Sequence, residues 1–167
     1  METDVRQGYY TWQEVCEDPR LRDLPFKIEL NAYGQIVMSP VRVKHGAYQT
    51  EISFLLRQAL ANGQTGVETA IQTGEGTRVA DVTWFSPARW RLAEDAFDAP
   101  IAPEICVEVL SPGNTSAEMA EKRRLYVEAG AEEVWLCGID GRMQFFTALG
   151  EGAASPRAPT FPNRIVL

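Results

Sequence analysis

Three residues interrupt the apolar pattern of the segments that hold them. Asp81 lies inside "RVADVTWF", Glu108 inside "ICVEVL", and Lys122 inside the helical repeat "AEMAEKRRLYVEAG". Each has a plain reading on its own. A strand aspartate sits at an edge or pairs with an arginine, and a helix lysine stretches its ammonium past apolar neighbours to water. Burying any of them unpaired would cost several kcal/mol or force a change of protonation. Taken together they suit one kind of chemistry. Two carboxylates from neighbouring strands can hold one Mg²⁺ or Mn²⁺, with backbone carbonyls and water completing the oxygen shell. The ion and a nearby ammonium then stabilise charge growing on a phosphate, and the ion makes water a better nucleophile. Phosphodiester hydrolysis needs this set.

The elements that must position these residues follow from local pattern. "TWQEVCED" reads as a short helix ending at Pro19, and "FKIELNAYGQIVMSP" as a hairpin turning at 32–35. "HGAYQTEISFLLRQALANG" is a helix over 45–62, with Tyr48, Ile52, Leu55, Leu56 and Ala59 as its apolar stripe and Asn62–Gly63 as its stop. "GVETAIQTG" and "TRVADVTWFSP" are β segments joined through 74–76, and 87–103 is a loop with a helical turn at "ARWRLAEDA". The Glu108 strand shows Cys106 and Leu110 on the glutamate's face and Val107 and Val109 on the other. It ends at "SPG". Thr115 and Glu118 then form a capping box for the next helix, which closes at Gly130. On that helix Lys122 falls within the stripe of Met119, Leu125, Tyr126 and Ala129. "EVWLCGIDGRMQFF" is a hairpin about Asp140–Gly141, and the tail is low in structure, with a last strand at "RIVL". The expected architecture is α/β with one mostly buried mixed sheet. One domain spans 1–167, with 1–25 as an N-terminal extension and 150–167 as a C-terminal tail.

Composition excludes several classes. His45 is the only histidine, which removes zinc sites built on several histidines and makes a serine triad untenable. No apolar run approaches the roughly 18 residues of a membrane span, and the N-terminus lacks the features of a signal peptide. Cys16, Cys106 and Cys137 are odd in number and have no metal-ligand spacing, so free thiols in a reducing cytoplasm are expected. The net charge of −7 argues against a permanent nucleic-acid coat, yet leaves room for nucleic-acid chemistry that recruits a divalent cation. Glu104 reads as an exposed strand start, and Tyr126 as a core residue.

The string "VADVTWF…APEICVEVLSPGNTSAEMAEKRRLYVEAGAEEVWLCGIDGRMQFF" resembles the Uma-type restriction endonuclease family, a branch of the PD-(D/E)XK nuclease superfamily. "FKIELNAYGQIVMSP…HGAYQTEISFLLRQAL" is similar to that family's N-terminal half, so the resemblance runs from about residue 9 to 148. It implies a restriction-endonuclease-like core, a central mixed sheet flanked by helices, that cuts DNA with Mg²⁺ or Mn²⁺. Asp81 matches the motif aspartate and Glu108 the later acidic residue. The implied metal set is Asp81, Glu108 and the backbone carbonyl of Val109, with Lys122 as the catalytic lysine. Glu51 stands where an acid on the first helix assists the metal, and His45 is either an accessory there or a cap or core residue. Two positions depart from the superfamily pattern. Ala80 replaces a proline before the aspartate, and Leu110 stands where the lysine two after the acid would be. A homodimer is expected, because cutting both DNA strands takes two sites. The alternative, favoured by Leu110 and the acidic surface, is a nuclease-fold binding or assembly module without efficient catalysis. A third reading turns the site on RNA or a small phosphoester.

Overall fold

The computed structural model describes residues 9–167. The first eight residues of the expected N-terminal extension lie outside them. A short helix, α1 (Trp12–Glu17), is capped by Thr11 and Glu14 acting on each other's backbone N–H groups. A two-stranded antiparallel hairpin follows, β1 (Phe26–Leu30) with β2 (Ile36–Pro40). The helix α2 (Val43–Ala59) buries Tyr48, Gln49, Ile52 and Leu56, residues spaced to share one face.

A mixed six-stranded sheet forms the centre. Its members are β3 (Gln64–Thr73), β4 (Gly76–Phe85), β5 (Ile105–Val109), β6 (Glu133–Cys137), β7 (Met143–Thr147) and β8 (Gly150–Gly152). They lie side by side in chain order, and only the β5–β6 pair is parallel. That one parallel step needs a crossover, supplied by α4 (Ser116–Glu128), while α3 (Pro87–Ala93) fills the β4–β5 connection. Every residue of β5 and β6 is buried, which explains why both read as unbroken apolar runs rather than alternating ones. One core cluster packs α2 against Val82, Val107, Val109 and Trp135. The other gathers Ile71, Phe85, Cys106, Tyr126 and Val134 on the opposite face. Glu108 therefore lies on the Cys106 face, as the alternation requires.

Several local expectations change. The segment after Ser86 is a helix from Pro87, because the Ser86 hydroxyl accepts from Arg89 N–H and proline suits the first turn. Glu104 is buried, not an exposed strand start. Its carboxylate accepts from the Ser86 N–H at 2.9 Å and lies 3.5 Å from Arg89 Nε, which ties α3 to the start of β5. The tail is anchored rather than loose, and no strand forms at 164–167. Arg142 and Arg164 make one isolated bridge instead. The short strand β8 pairs with residues 145–147 of β7, so the sheet continues past the 133–147 hairpin. No helix among the described residues is long and apolar enough to cross a membrane.

Candidate active site

Asp81 and Glu108 sit side by side on β4 and β5, in the antiparallel register that pairs Val82 with Val107. Both are almost sealed from solvent, 1% and 3% exposed. The Val109 N–H donates to Asp81 Oδ2 at 2.7 Å, which fixes the aspartate rotamer against the end of β5. Tyr126 OH donates to Glu108 Oε1 at 2.6 Å, so this tyrosine is a core residue that also orients the glutamate.

Two ammoniums meet the acids. Lys122 reaches across from α4 and lies 3.3 Å from Glu108 Oε2 and 3.0 Å from Glu29 Oε1. Its place in the apolar stripe is thus explained by buried acidic partners, not by a reach to water. The second ammonium is Lys27 of β1. Its Nζ lies 2.9 Å from Asp81 Oδ1 and 3.3 Å from Glu108 Oε2, bridging the two carboxylates. Glu29, two residues on and on the same face of β1, also accepts from the Val79 N–H at 2.8 Å. β1 lies against β4, and this packing carries both residues into the site.

On the other side of Asp81 stands α2. His45 Nε2 is 3.2 Å from Asp81 Oδ1, without the alignment of a hydrogen bond, and neither ring nitrogen has a hydrogen-bond partner. One turn on, Gln49 donates to Asp81 Oδ1 at 3.4 Å and to Glu68 Oε1. Glu68 faces Asp81 across the β3–β4 ladder. Its φ of 50° interrupts the pairing there, which holds at Val67 with Val82 and resumes at Thr69 with Ala80. One ligand atom each from His45, Glu68 and Asp81 lie within 4.8 Å of one another, a spacing that suits a metal ion. Glu51 is half-buried and makes no hydrogen bond or ion pair with the cluster; Gln49 is the α2 residue turned toward it, beside His45. The contact made by Val109 is through its N–H.

The electrostatics separate the groups. Burial pushes Asp81 upward, but the Lys27 ammonium and the neighbouring His45 outweigh it, and the carboxyl lies well below its ordinary pKa. Burial acts on Glu29 likewise and is outweighed by Lys122 and Lys27, so it too is lowered. Glu108 goes the other way. Its burial exceeds what Lys122 and Lys27 return, Asp81 and Glu29 repel its charge, and its pKa is raised. Lys27 is held charged by Glu108 and Asp81 against a burial that would strip its proton. The Asp81 carboxylate lifts His45 above its usual value.

Sequence reasoning reached Asp81, Glu108, Lys122 and His45, and the structure brings these four together. It missed Lys27, Glu29, Gln49 and Glu68. A usable signal existed for the first two: "FKIEL" places Lys27 and Glu29 on one strand face with opposite charges, ready to pair with the opposite charges found later in the chain. Gln49 was also visible, as a polar residue inside the α2 stripe.

A mixed sheet between helices, with an acid–ammonium centre where β4 and β5 meet, defines an α/β fold of nuclease type. A solved structure from Anabaena variabilis, described as "a putative nuclease belonging to DUF820", shares it with a TM-score of 0.66. That likeness covers 83% of this chain and 79% of the other at 20% identity, so it speaks to the fold. No curated protein matches the chain. The model of the Uma2 family, "Putative restriction endonuclease", matches residues 12–163, and the chain belongs to that family.

Proposed function

We propose that the protein is a divalent-metal-dependent endonuclease that hydrolyses phosphodiester bonds in DNA, with Asp81, Glu108 and Lys122 at its centre. The observation that supports this most directly is the pair of sealed carboxylates in register on adjacent strands, faced by two lysines from separate elements. A fold gains little from such an arrangement, since well-packed apolar residues would be as stable or more so. The family membership supports the same reading.

A metal ion fits the donor set. Among the described residues Asp81 shares a group of metal-holding spacing with His45 and Glu68, and the His45 ring nitrogens have no hydrogen-bond partner. When bound, Mg²⁺ or Mn²⁺ supplies positive charge to the phosphate and acidifies water. The chain's own residues do the rest. Val109 N–H and Gln49 hold the Asp81 carboxylate in place, and Tyr126 holds Glu108. Lys122 and Lys27 present ammoniums to a phosphate that arrives at the acids. A groove of about 240 Å³ beside α2 is lined by Arg42, Lys44, His45, Tyr48, Val109 and Ile139, and borders the cluster through His45 and Val109. Its two cations offer phosphate contacts on a molecule whose overall net charge is −7. Cutting both strands of a duplex takes two such sites, which a homodimer supplies. The three free cysteines suit work in a reducing cytoplasm.

One observation favours the rival reading of a binding or assembly module. Both acids are already ion-paired within the protein, as in a purely structural network. Plasmid nicking in Mg²⁺ and in Mn²⁺ decides between them. The wild type is expected to cut, and Asp81→Asn and Glu108→Gln to lose about 10²-fold or more in rate, the scale of one lost electrostatic contributor. A wild type that binds DNA and never cuts it, with either ion, supports the module.

A further inference from the structure

Resting on the metal-dependent reading above, we infer that the ion is held by His45, Glu68 and Asp81 rather than between Asp81 and Glu108, and that this site takes a first-row transition ion such as Mn²⁺ in preference to Mg²⁺.

The space between the two acids already has a cation. Lys27 Nζ bridges Asp81 Oδ1 and Glu108 Oε2, and Lys122 Nζ lies against the same Glu108 oxygen. The remaining Glu108 oxygen accepts from Tyr126, and the remaining Asp81 oxygen from the Val109 N–H. An ion placed there would face two ammoniums and would have to displace at least one of them into apolar surroundings.

The α2 side of Asp81 shares Oδ1 with Lys27, but the donor spanning it is neutral: the Gln49 amide, which reaches both Glu68 Oε1 and Asp81 Oδ1 and is displaced by an ion without moving a buried charge. Ligand atoms from three elements, α2, β3 and β4, already lie within 4.8 Å of one another. The His45 side chain is only 10% exposed, yet neither ring nitrogen has a hydrogen-bond partner, and Nε2 lies 3.2 Å from Asp81 Oδ1. A ring nitrogen this close to a carboxylate oxygen, with no aligned hydrogen bond between them, is a pair of donor atoms that a shared cation would hold together. Charge agrees. The four carboxylates of the cluster, Glu29, Glu68, Asp81 and Glu108, exceed the ammoniums of Lys27 and Lys122 by two, the charge of one divalent ion with a neutral histidine. Glu68 is exposed, so the ion has a route in from solvent. The mixed donor set selects the metal. Mg²⁺ prefers an all-oxygen octahedron and gives up its waters reluctantly, whereas an imidazole nitrogen raises affinity for later first-row ions.

Calorimetric titration of the full chain with MnCl₂ and with MgCl₂, together with pulsed electron paramagnetic resonance of the Mn²⁺ complex, tests this. Mn²⁺ is expected to bind about tenfold or more tightly than Mg²⁺ and to show ¹⁴N coupling from one histidine. His45→Ala and Glu68→Gln should each weaken Mn²⁺ by about 10- to 100-fold, and His45→Ala should abolish the coupling. Glu108→Gln, which removes a charge from the cluster but no ligand, should weaken Mn²⁺ less than either of these and keep the ¹⁴N coupling. Thermal melts confirm that each variant is folded, and Glu68→Gln, at an exposed position, serves if His45→Ala is not. Affinity lost in Glu108→Gln and kept in His45→Ala, or a Mn²⁺ complex without ¹⁴N coupling, overturns the inference while the nuclease reading stands. A wild type that binds neither ion overturns both.

Discussion

Asp81 and Glu108 carry the same charge in the same cluster, and their surroundings treat them in opposite ways. Asp81 is held below its ordinary pKa by Lys27 and His45 despite burial, so its ionised form stabilises the fold. That contribution is complete above the unfolded value, near 4, and is lost as pH falls. Glu108 is raised by burial, so its ionised form is a cost that grows as pH rises through the folded value. The two neutral variants should therefore separate in stability while agreeing in activity. Asp81→Asn removes the main acidic partner of a buried ammonium and should cost about 3 kcal/mol. Glu108→Gln leaves Lys27 on Asp81 and Lys122 on Glu29, keeps an acceptor for Tyr126, and should gain about 1 kcal/mol, as relaxing a strained functional site commonly does. Chemical denaturation at pH 7 and again at pH 4 measures both, and the Glu108→Gln gain should shrink at the lower pH. A Glu108→Gln protein less stable than wild type at pH 7 would contradict the assignment. The three central residues were legible because each is a charge in an apolar run. Lys27 and Glu29 left only their shared, oppositely charged strand face as a signal, because a strand that alternates polar and apolar residues reads as half-solvated until another element covers its polar face.

At the scale of elements, the β1–β2 hairpin is what turns an acid pair into a site. It delivers Lys27 and Glu29, and it is fastened by main-chain contacts. Arg78 Nη1 donates to Leu30 O at 2.8 Å, and the Val79 N–H donates to Glu29. The turn between β3 and β4 fits under the hairpin at Gly76, whose φ is +88° and whose missing Cβ would collide with the Leu30 and Asn31 carbonyls. Gly76→Ala should cost about 1–3 kcal/mol from backbone strain alone. It should also push the hairpin outward, so that cleavage falls more than stability explains. Comparing nicking rates well below the melting temperature checks this, and full activity there would show the hairpin's position to be unimportant. The hairpin and both long helices follow from local pattern, since turn chemistry, the capping box and the apolar stripe are all short-range. Where the hairpin docks does not follow, because two strands with a solvated face carry no local signal for their partner.

For the molecule as a whole, the C-terminal segment closes the sheet. Glu133 at the start of β6 is buried and accepts from Trp135 Nε1 at 2.8 Å, Ser155 Oγ at 2.6 Å and the Arg157 N–H at 2.7 Å. Phe161 packs against Trp135 with ring centroids 4.6 Å apart. The tail looked unstructured in sequence because prolines and glycines conceal an anchor made of one serine and one phenylalanine. Ser155→Ala leaves the buried Glu133 carboxylate short of a donor and should cost about 1–3 kcal/mol, read from denaturant midpoints. An unchanged midpoint would mean that solvent reaches the carboxylate.

The ion pairs of the site also span the chain. Lys27 meets Asp81 across 54 positions and Glu108 across 81, and Lys122 meets Glu29 across 93. Contacts between such distant parts of a chain carry the largest loop-closure cost and form late in folding. The centre is thus expected to form after the local helices and hairpins. During refolding, circular dichroism at helix wavelengths should recover first, and DNA cleavage should return only with the slowest phase. Any chemistry the centre performs is thus acquired last.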